Sequence, residues 1–305
     1  MRLEEIRCRD PFIVQESGLW YLFRSHDGQA PEEREGVDVF CSADGEEWAP
    51  PAPALALPNR GNAYWAPEAH QWNGNWYLLV TVTGPRQGCG ITTPLGREKI
   101  RGTCVFRSDR VAGPYSPWSH GPVTPWEQLA LDGTLYISPA REPYIIYCHE
   151  WLQTVDGTVE AVPLSEDLRE RTGESAVLFR ASDAPWCQGQ YVEEAEGVHF
   201  GCDVRVTDGV FPFRDLSGAL CLLWSTANRG RYQTGFARSP CGLWGPWEHP
   251  RCTLYEEDGG HAMLLTEVGA SGAMVLHQPN TAPLERVRRI PVQITSTGIT
   301  IQKRG

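Results

Sequence analysis

The chain has 305 residues, 41% of them hydrophobic, and a formal net charge of −11 at neutral pH. That content supports one large core and argues against disorder. The acidic balance argues against nucleic acid, whose phosphates need a basic surface, and against an anionic membrane surface, so the expected partner is a neutral small substrate.

No run approaches the roughly 18 apolar residues of a membrane span. The first residues, Met1-Arg2-Leu3-Glu4-Glu5-Ile6-Arg7, lead into no apolar stretch of the kind that forms a secretory signal. A cytoplasmic protein is therefore expected, with its ten cysteines as reduced thiols. None of them forms a Cys-x-x-Cys pair, so no zinc cage is expected. Twelve Trp, ten Tyr, 31 Gly and 24 Pro suit an all-β chain with many turns.

In chain order, the first motif is Arg9-Asp10-Pro11-Phe12-Ile13-Val14, followed by a turn at Glu16-Ser17-Gly18 and a strand at Leu19-Trp20-Tyr21-Leu22-Phe23. Trp65-Ala66-Pro67-Glu68 comes next, then Asn73-Gly74-Asn75 and Trp76-Tyr77-Leu78-Leu79-Val80. Leu131-Asp132-Gly133-Thr134-Leu135-Tyr136 precedes Pro143-Tyr144-Ile145-Ile146-Tyr147. Thr207-Asp208-Gly209-Val210-Phe211 precedes Leu216-Ser217-Gly218 and Ala219-Leu220-Cys221-Leu222-Leu223-Trp224. Gly259-Gly260-His261-Ala262-Met263-Leu264 precedes Ala270-Ser271-Gly272 and Ala273-Met274-Val275-Leu276-His277. The runs are short, β-branched or aromatic, and bounded by turn residues, while helical periodicity is nearly absent. Five units of roughly 50–75 residues, each of about four strands, predict an all-β, five-bladed β-propeller as a single domain over 1–305. A β-sandwich or β-helix would explain the strands but not the similar placement of the motifs.

In a propeller the innermost strand of each blade lines the axis. Asp10, Asp132 and Asp208 all fall where that strand should begin, so three carboxyls are expected to share one centre. Singly, each reads as a turn cap, because Asp-Pro and Asp-Gly are ordinary turn pairs. Together and in phase they suit glycosidic hydrolysis, which needs two opposed carboxyl groups. Trp65 and Glu68 are candidates to stack on and hydrogen-bond a sugar, or else a buried Trp with a capping Glu. His149, Glu150 and Trp151 are candidates for the rim, or else loop packing. Arg9, Arg229 and Arg231 are candidate substrate or carboxylate partners, or else solvated surface.

The ordered set Arg-Asp-Pro-Phe-Ile at 9–13, Trp-Ala-Pro-Glu-Ala-His at 65–70, Leu-Asp-Gly-Thr-Leu-Tyr at 131–136 and Gly-Gly-His at 259–261 resembles glycoside hydrolase family 43 along almost the whole chain. The resemblance implies inverting hydrolysis, with Asp10 as general base and Asp132 tuning the acid. The family's acid is a Glu within Glu-Gly-Pro. Here the corresponding segment reads Asp208-Gly209-Val210, which favours Asp208, with Glu196 in Glu196-Gly197-Val198 as the competitor. The resemblance also places His261 on the propeller axis, where relatives hold calcium or another cation, with no cofactor required. The implied substrates are pentose-containing oligosaccharides: α-L-arabinofuranosides first, then β-D-xylosides or galactofuranosides. The segment from about Leu178 to Asp203 is expected to form a rim that favours exo action. The alternatives of another class are a non-catalytic glycan-binding propeller and a phosphorolytic enzyme, the latter lacking a clear basic cluster.

Overall fold

A computed structural model of the chain describes residues 1–26, 34–85, 99–266 and 270–302. Five antiparallel sheets follow one another along it. The first is β1 (Phe12–Glu16), β2 (Leu19–Ser25), β3 (Arg34–Ser42) and β4 (Ala52–Pro58). The second is β5 (Ala63–Trp72), β6 (Asn75–Pro85), β7 (Lys99–Ser108) and β8 (Ser116–Pro117). The third is β9 (Ala130–Ile137), β10 (Pro143–His149), β11 (Thr158–Pro163) and β12 (Ala176–Arg180). A separate hairpin, β13 (Gln190–Ala195) and β14 (Val198–Val204), leads to the fourth sheet, β15 (Asp208–Arg214), β16 (Leu220–Asn228) and β17 (Arg231–Ser239). The fifth is β18 (Gly260–Thr266), β19 (Ser271–Gln278), β20 (Arg286–Thr295) and β21 (Gly298–Ile301). The architecture is the five-bladed β-propeller.

Within each blade the strands meander outward in sequence order, since each joins its neighbour by a short turn. Second strands such as Leu220–Asn228 are almost entirely buried, because blades pack against both of their faces. Trp224 is fully buried there, with its ring 4.4 Å from Trp186 and 5.7 Å from Phe179 of the third blade. Burying one such indole contributes about 5 kcal/mol of transfer free energy before the ordering cost.

The fourth blade departs from the four-strand expectation. After β17 the chain runs through Cys241-Gly242-Leu243-Trp244-Gly245-Pro246-Trp247 and makes only single bridges, Arg238 to Glu248 and Thr234 to Tyr255. Glycines and a proline without an N–H cannot sustain a ladder there. Among the described residues, the first and last blades share no strand. They meet through the N-terminal segment, where Leu3 and Ile6 join a core with Phe12, Met263, Val275 and Val287, and Arg7 bridges Arg286. The nine described cysteines are free, and Cys89 lies outside the described residues. No helix among the described residues is long and apolar enough to cross a membrane.

One local feature positions the site. The innermost strands of blades two to five each carry a bulge, at Trp65/Glu68, opposite Ile146/Cys148, at Asp208/Phe211 and at Gly260/Met263. The residue inside each bulge has positive φ: Ala66 (46°), Asp132 (56°), Gly209 (57°) and His261 (52°). Asp10 (52°) holds the matching place just before β1. Such bulges bend the strand and re-aim its side chains.

Candidate active site

The bulges at Asp132 and His261, and the matching left-handed residue Asp10 before β1, bring these three side chains to the axis at equivalent positions. His261 Nδ1 lies 3.1 Å from Asp10 Oδ1, 3.7 Å from Asp208 Oδ1 and 3.8 Å from Asp132 Oδ2. The three predicted aspartates and the predicted histidine thus form one cluster. Asp208 enters it one residue out of step. Its strand puts Gly209 at the bulge, and Asp208 stands at the position held by Trp65, Leu131 and Gly260 elsewhere.

Hydrogen bonds fix each carboxylate. The Gly209 N–H donates to Asp132 Oδ2 at 3.0 Å, and the Asp132 N–H donates to Thr81 Oγ1 at 2.8 Å. The Tyr232 hydroxyl donates to Asp208 Oδ2 at 2.6 Å. The Asp10 N–H donates to His277 Nδ1 at 3.2 Å, so that nitrogen carries no proton and His277 Nε2 donates to Asn280 Oδ1 at 3.1 Å. The Tyr232 ring stacks on His277, centroids 5.5 Å apart. Nothing local in the sequence marks Tyr232 or His277. They sit on the third strand of one blade and the second of another, away from every motif.

The charges divide accordingly. Burial would raise Asp10, but His261 and Arg9 outweigh it and hold the carboxyl below its usual range. Burial would lower His261, yet Asp10 and Asp132 hold it well above its usual value, as an imidazolium. Asp132 is pushed well up by burial and then by the Asp208 charge. Burial also works to raise Asp208, but the neighbouring Asp132 carboxyl, the His261 imidazolium and the Tyr232 hydroxyl bring it down. Asp132 and Asp208 therefore hold one proton between them, since two adjacent buried carboxylates cannot both ionise. It rests on Asp132, the more buried at 6% side-chain exposure against 24%.

Above the cluster opens a cavity of about 470 Å³, lined by Asp10, Asp132, Asp208, Trp65, Glu150 and Arg9, among others. Trp65, Glu150 and Arg9 thus fall where a substrate would contact them. Glu68 does not. It pairs with His70 at 2.8 Å and faces a cavity of about 10 Å³ on the axis beneath Asp10 and His261. The bulge at Trp65/Glu68 turns the two side chains apart. His149 also lies off the cavity lining, with Nδ1 2.9 Å from Glu160 and Nε2 2.9 Å from Gln153. Trp151 opens the four-residue helix α1 (Trp151–Thr154) and packs on Phe200 of the hairpin, centroids 5.2 Å apart. Arg229 and Arg231 flank the β16–β17 turn and line a separate surface cavity with Arg251 and Glu256. Glu196 is the turn residue of the β13–β14 hairpin, bound to Arg101 at 3.0 and 3.1 Å rather than to the aspartate cluster.

Asp132, Asp208 and His261 could hold a cation, as their ligand atoms lie within 4.8 Å of one another. They suit calcium poorly, since it takes about six to eight oxygens and these offer two carboxylates and a nitrogen. A cation at Nδ1 would also have to displace the proton that pairs His261 with Asp10.

Opposed carboxylates on a propeller axis, beneath an open cavity lined by an indole, define a glycoside-cleaving centre. The chain matches the family of glycosyl hydrolases family 43 over residues 4–292 and belongs to it. It therefore hydrolyses O-glycosyl bonds with inversion. An endo-arabinase from Bacteroides thetaiotaomicron VPI-5482 is 28% identical, with a TM-score of 0.76, covering 100% of this chain and 97% of that one. An endo-1,4-β-xylanase from the same organism is 18% identical, with a TM-score of 0.74 and coverage of 98% and 95%. An exo-1,5-α-L-arabinanase from a bovine ruminal metagenomic library is 15% identical, with a TM-score of 0.65 and coverage of 97% of each chain. The last two show the fold alone. No curated protein matches the chain.

Proposed function

We propose that the protein is an exo-acting α-L-arabinofuranosidase with Asp10 as general base, Asp208 as general acid and Asp132 as the residue that supplies and tunes the acid's proton. The observation that carries the roles is the division of charge. Asp10 is held ionised by His261, while burial and the neighbouring Asp208 charge keep a proton on Asp132, beside Asp208.

The steps follow from that division. Asp10 takes a proton from a water whose oxygen attacks the anomeric carbon. The glycosidic C–O bond breaks with its electron pair on the leaving oxygen, which accepts a proton from Asp208 as Asp208 takes up the one held by Asp132. The sugar leaves with inverted configuration, and both carboxyls reset through solvent in the open cavity. Asp10 Oδ1 and Asp208 Oδ1 share His261 Nδ1, so they lie no more than about 7 Å apart, at or below the lower edge of the roughly 6.5–9.5 Å that admits a water. The Asp in place of the family's Glu fits this spacing only with the substrate seated deep, against Tyr232 and Asp132.

The sugar rests on the 28% identical endo-arabinase. The exo mode rests on the β13–β14 hairpin, whose Glu196 holds Arg101 behind the cavity residues Trp65 and Glu150. Release of 4-nitrophenol from a panel of pentofuranosides, pentopyranosides and hexofuranosides tests both sugar and roles. Cleavage of the α-L-arabinofuranoside alone, lost in Asp10→Asn and Asp208→Asn, is expected. Preference for a β-D-xyloside or a galactofuranoside would overturn the sugar.

A further inference from the structure

Among the described residues, β13 and β14 pair only with each other. Both strands are largely exposed, and a two-stranded hairpin alone is marginal in water. Its position therefore depends on what holds it. The turn is tight, with Glu196 (φ 48°) and Gly197 (φ 82°) both left-handed, as a two-residue hairpin turn requires. That turn aims both Glu196 oxygens at one Arg101 nitrogen, 3.0 and 3.1 Å away. Phe200 supplies the second anchor, on Trp151.

Arg101 is 5% exposed and belongs to the second blade, whereas the hairpin springs from the link between the third and fourth. Besides Glu196, its guanidinium pairs with Glu150 and lies 4.9 Å from the Trp65 ring centroid. Trp65 and Glu150 line the cavity that holds Asp10, Asp132 and Asp208. The hairpin tip is thus fastened to the back of the substrate-facing wall, one side chain away from the cavity.

We propose that this hairpin, latched by Glu196 on Arg101, backs the Trp65–Glu150 wall at the end of the substrate cavity, and that this support limits the enzyme to the ends of neutral sugar chains. With the latch closed, a chain terminates against the Trp65–Glu150 side. With the hairpin gone, a chain can continue past it. Arg101 acts here as a positioning residue. The inference rests on the reading of a glycan substrate given above.

Two variants test it: Glu196→Ala, and replacement of residues 191–203 by two glycines. Each is compared with the native enzyme on the aryl glycoside it cleaves best and on a linear polysaccharide of the same sugar. Interior cleavage is read as viscosity lost per reducing end formed. Aryl-glycoside turnover should stay within about twofold, while the ratio of interior to terminal cleavage rises about tenfold in the two-glycine variant and less in Glu196→Ala. An unchanged ratio in both variants overturns the proposal, as does a native enzyme that already cuts mainly in chain interiors. If the two-glycine variant fails to fold, Glu196→Ala decides alone. Limited proteolysis within 191–203 reads the latch without any sugar: Glu196→Ala should speed cleavage at least about tenfold, and equal rates overturn the latch. A native protein inactive on every glycoside, with this acceleration present, would lose the sugar reading and keep the latch.

Discussion

Asp132 and Asp208 stand one residue out of register, and that offset makes them a pair. Asp132 occupies the bulge of its innermost strand, while in the next blade Gly209 takes the bulge and Asp208 precedes it. The Gly209 N–H is thereby free to donate to Asp132 at 3.0 Å, and Asp208 sits beside the same carboxyl with Tyr232 on its far oxygen. Equivalent placement would have put a side chain where the Gly209 backbone now passes.

Gly209 is accordingly irreplaceable. A Cβ there would lie 2.6 Å from His261 Cα and 2.7 Å from its Cγ, and the backbone is already left-handed. Gly209→Ala should cost about 2–4 kcal/mol of stability and displace His261 from Asp10. Thermal unfolding checks this, and an unchanged midpoint would refute the close approach.

The leaving group separates acid from base. Asp208→Asn should lower kcat by about 10³-fold on unactivated glycosides but far less on dinitrophenyl glycosides, whose leaving oxygen needs no proton. Asp10→Asn should lower both alike. Equal losses for Asp208→Asn on both substrates would remove it from the acid role.

Tyr232 touches the proposed acid directly. Its hydroxyl stabilises ionised Asp208, so Tyr232→Phe should raise the pKa governing the alkaline limb and reduce kcat by about tenfold. A rate profile with an unmoved alkaline limb would make Tyr232 a packing residue only.

The pH profile follows from the signs. As the proposed base, Asp10 has to be ionised, and it is held below the usual carboxylate range, so activity should persist as pH falls to about 4. The Asp132–Asp208 proton is held well above that range, so activity should survive through neutral pH and fall as alkali removes it. Measuring kcat/KM against pH tests both limbs, and an alkaline loss beginning near pH 5 contradicts the shared proton.

Stability has its own limb at Glu160. Burial would raise this carboxyl, but hydrogen bonds from His149, Thr158 and Tyr147 bring it down to about 2. A depressed carboxylate stabilises the fold above its unfolded value of about 4.3, and that contribution is lost as pH falls toward 2. Glu160→Gln should cost about 1–2 kcal/mol at pH 6 and progressively less in acid, a convergence that urea titration at both pH values would reveal. This is also the place of His149. It braces Glu160, outside the cavity lining, a role that sequence proximity to Glu150 could not distinguish from a place on the rim.

The sequence alone determined the repeat. Turn residues, short aromatic strands and one acidic or histidine motif per unit are local chemistry, so five blades and the meeting of Asp10, Asp132 and Asp208 were legible from spacing, and the axial place of His261 from the family resemblance. The Asp-for-Glu substitution at 208 was legible too. Only the tertiary structure decided the rest. The Asp10–His277 contact joins residues 267 positions apart and exists because the ring closes. The roles of Tyr232 and Arg101, the one-residue offset of Asp208 and the docking of Glu196 depend on which strands face across the axis. Glu68 and Arg229 left the cavity for the same reason. A bulge or a turn rotates a side chain to another face, and no spacing rule reports that rotation before the blades are packed.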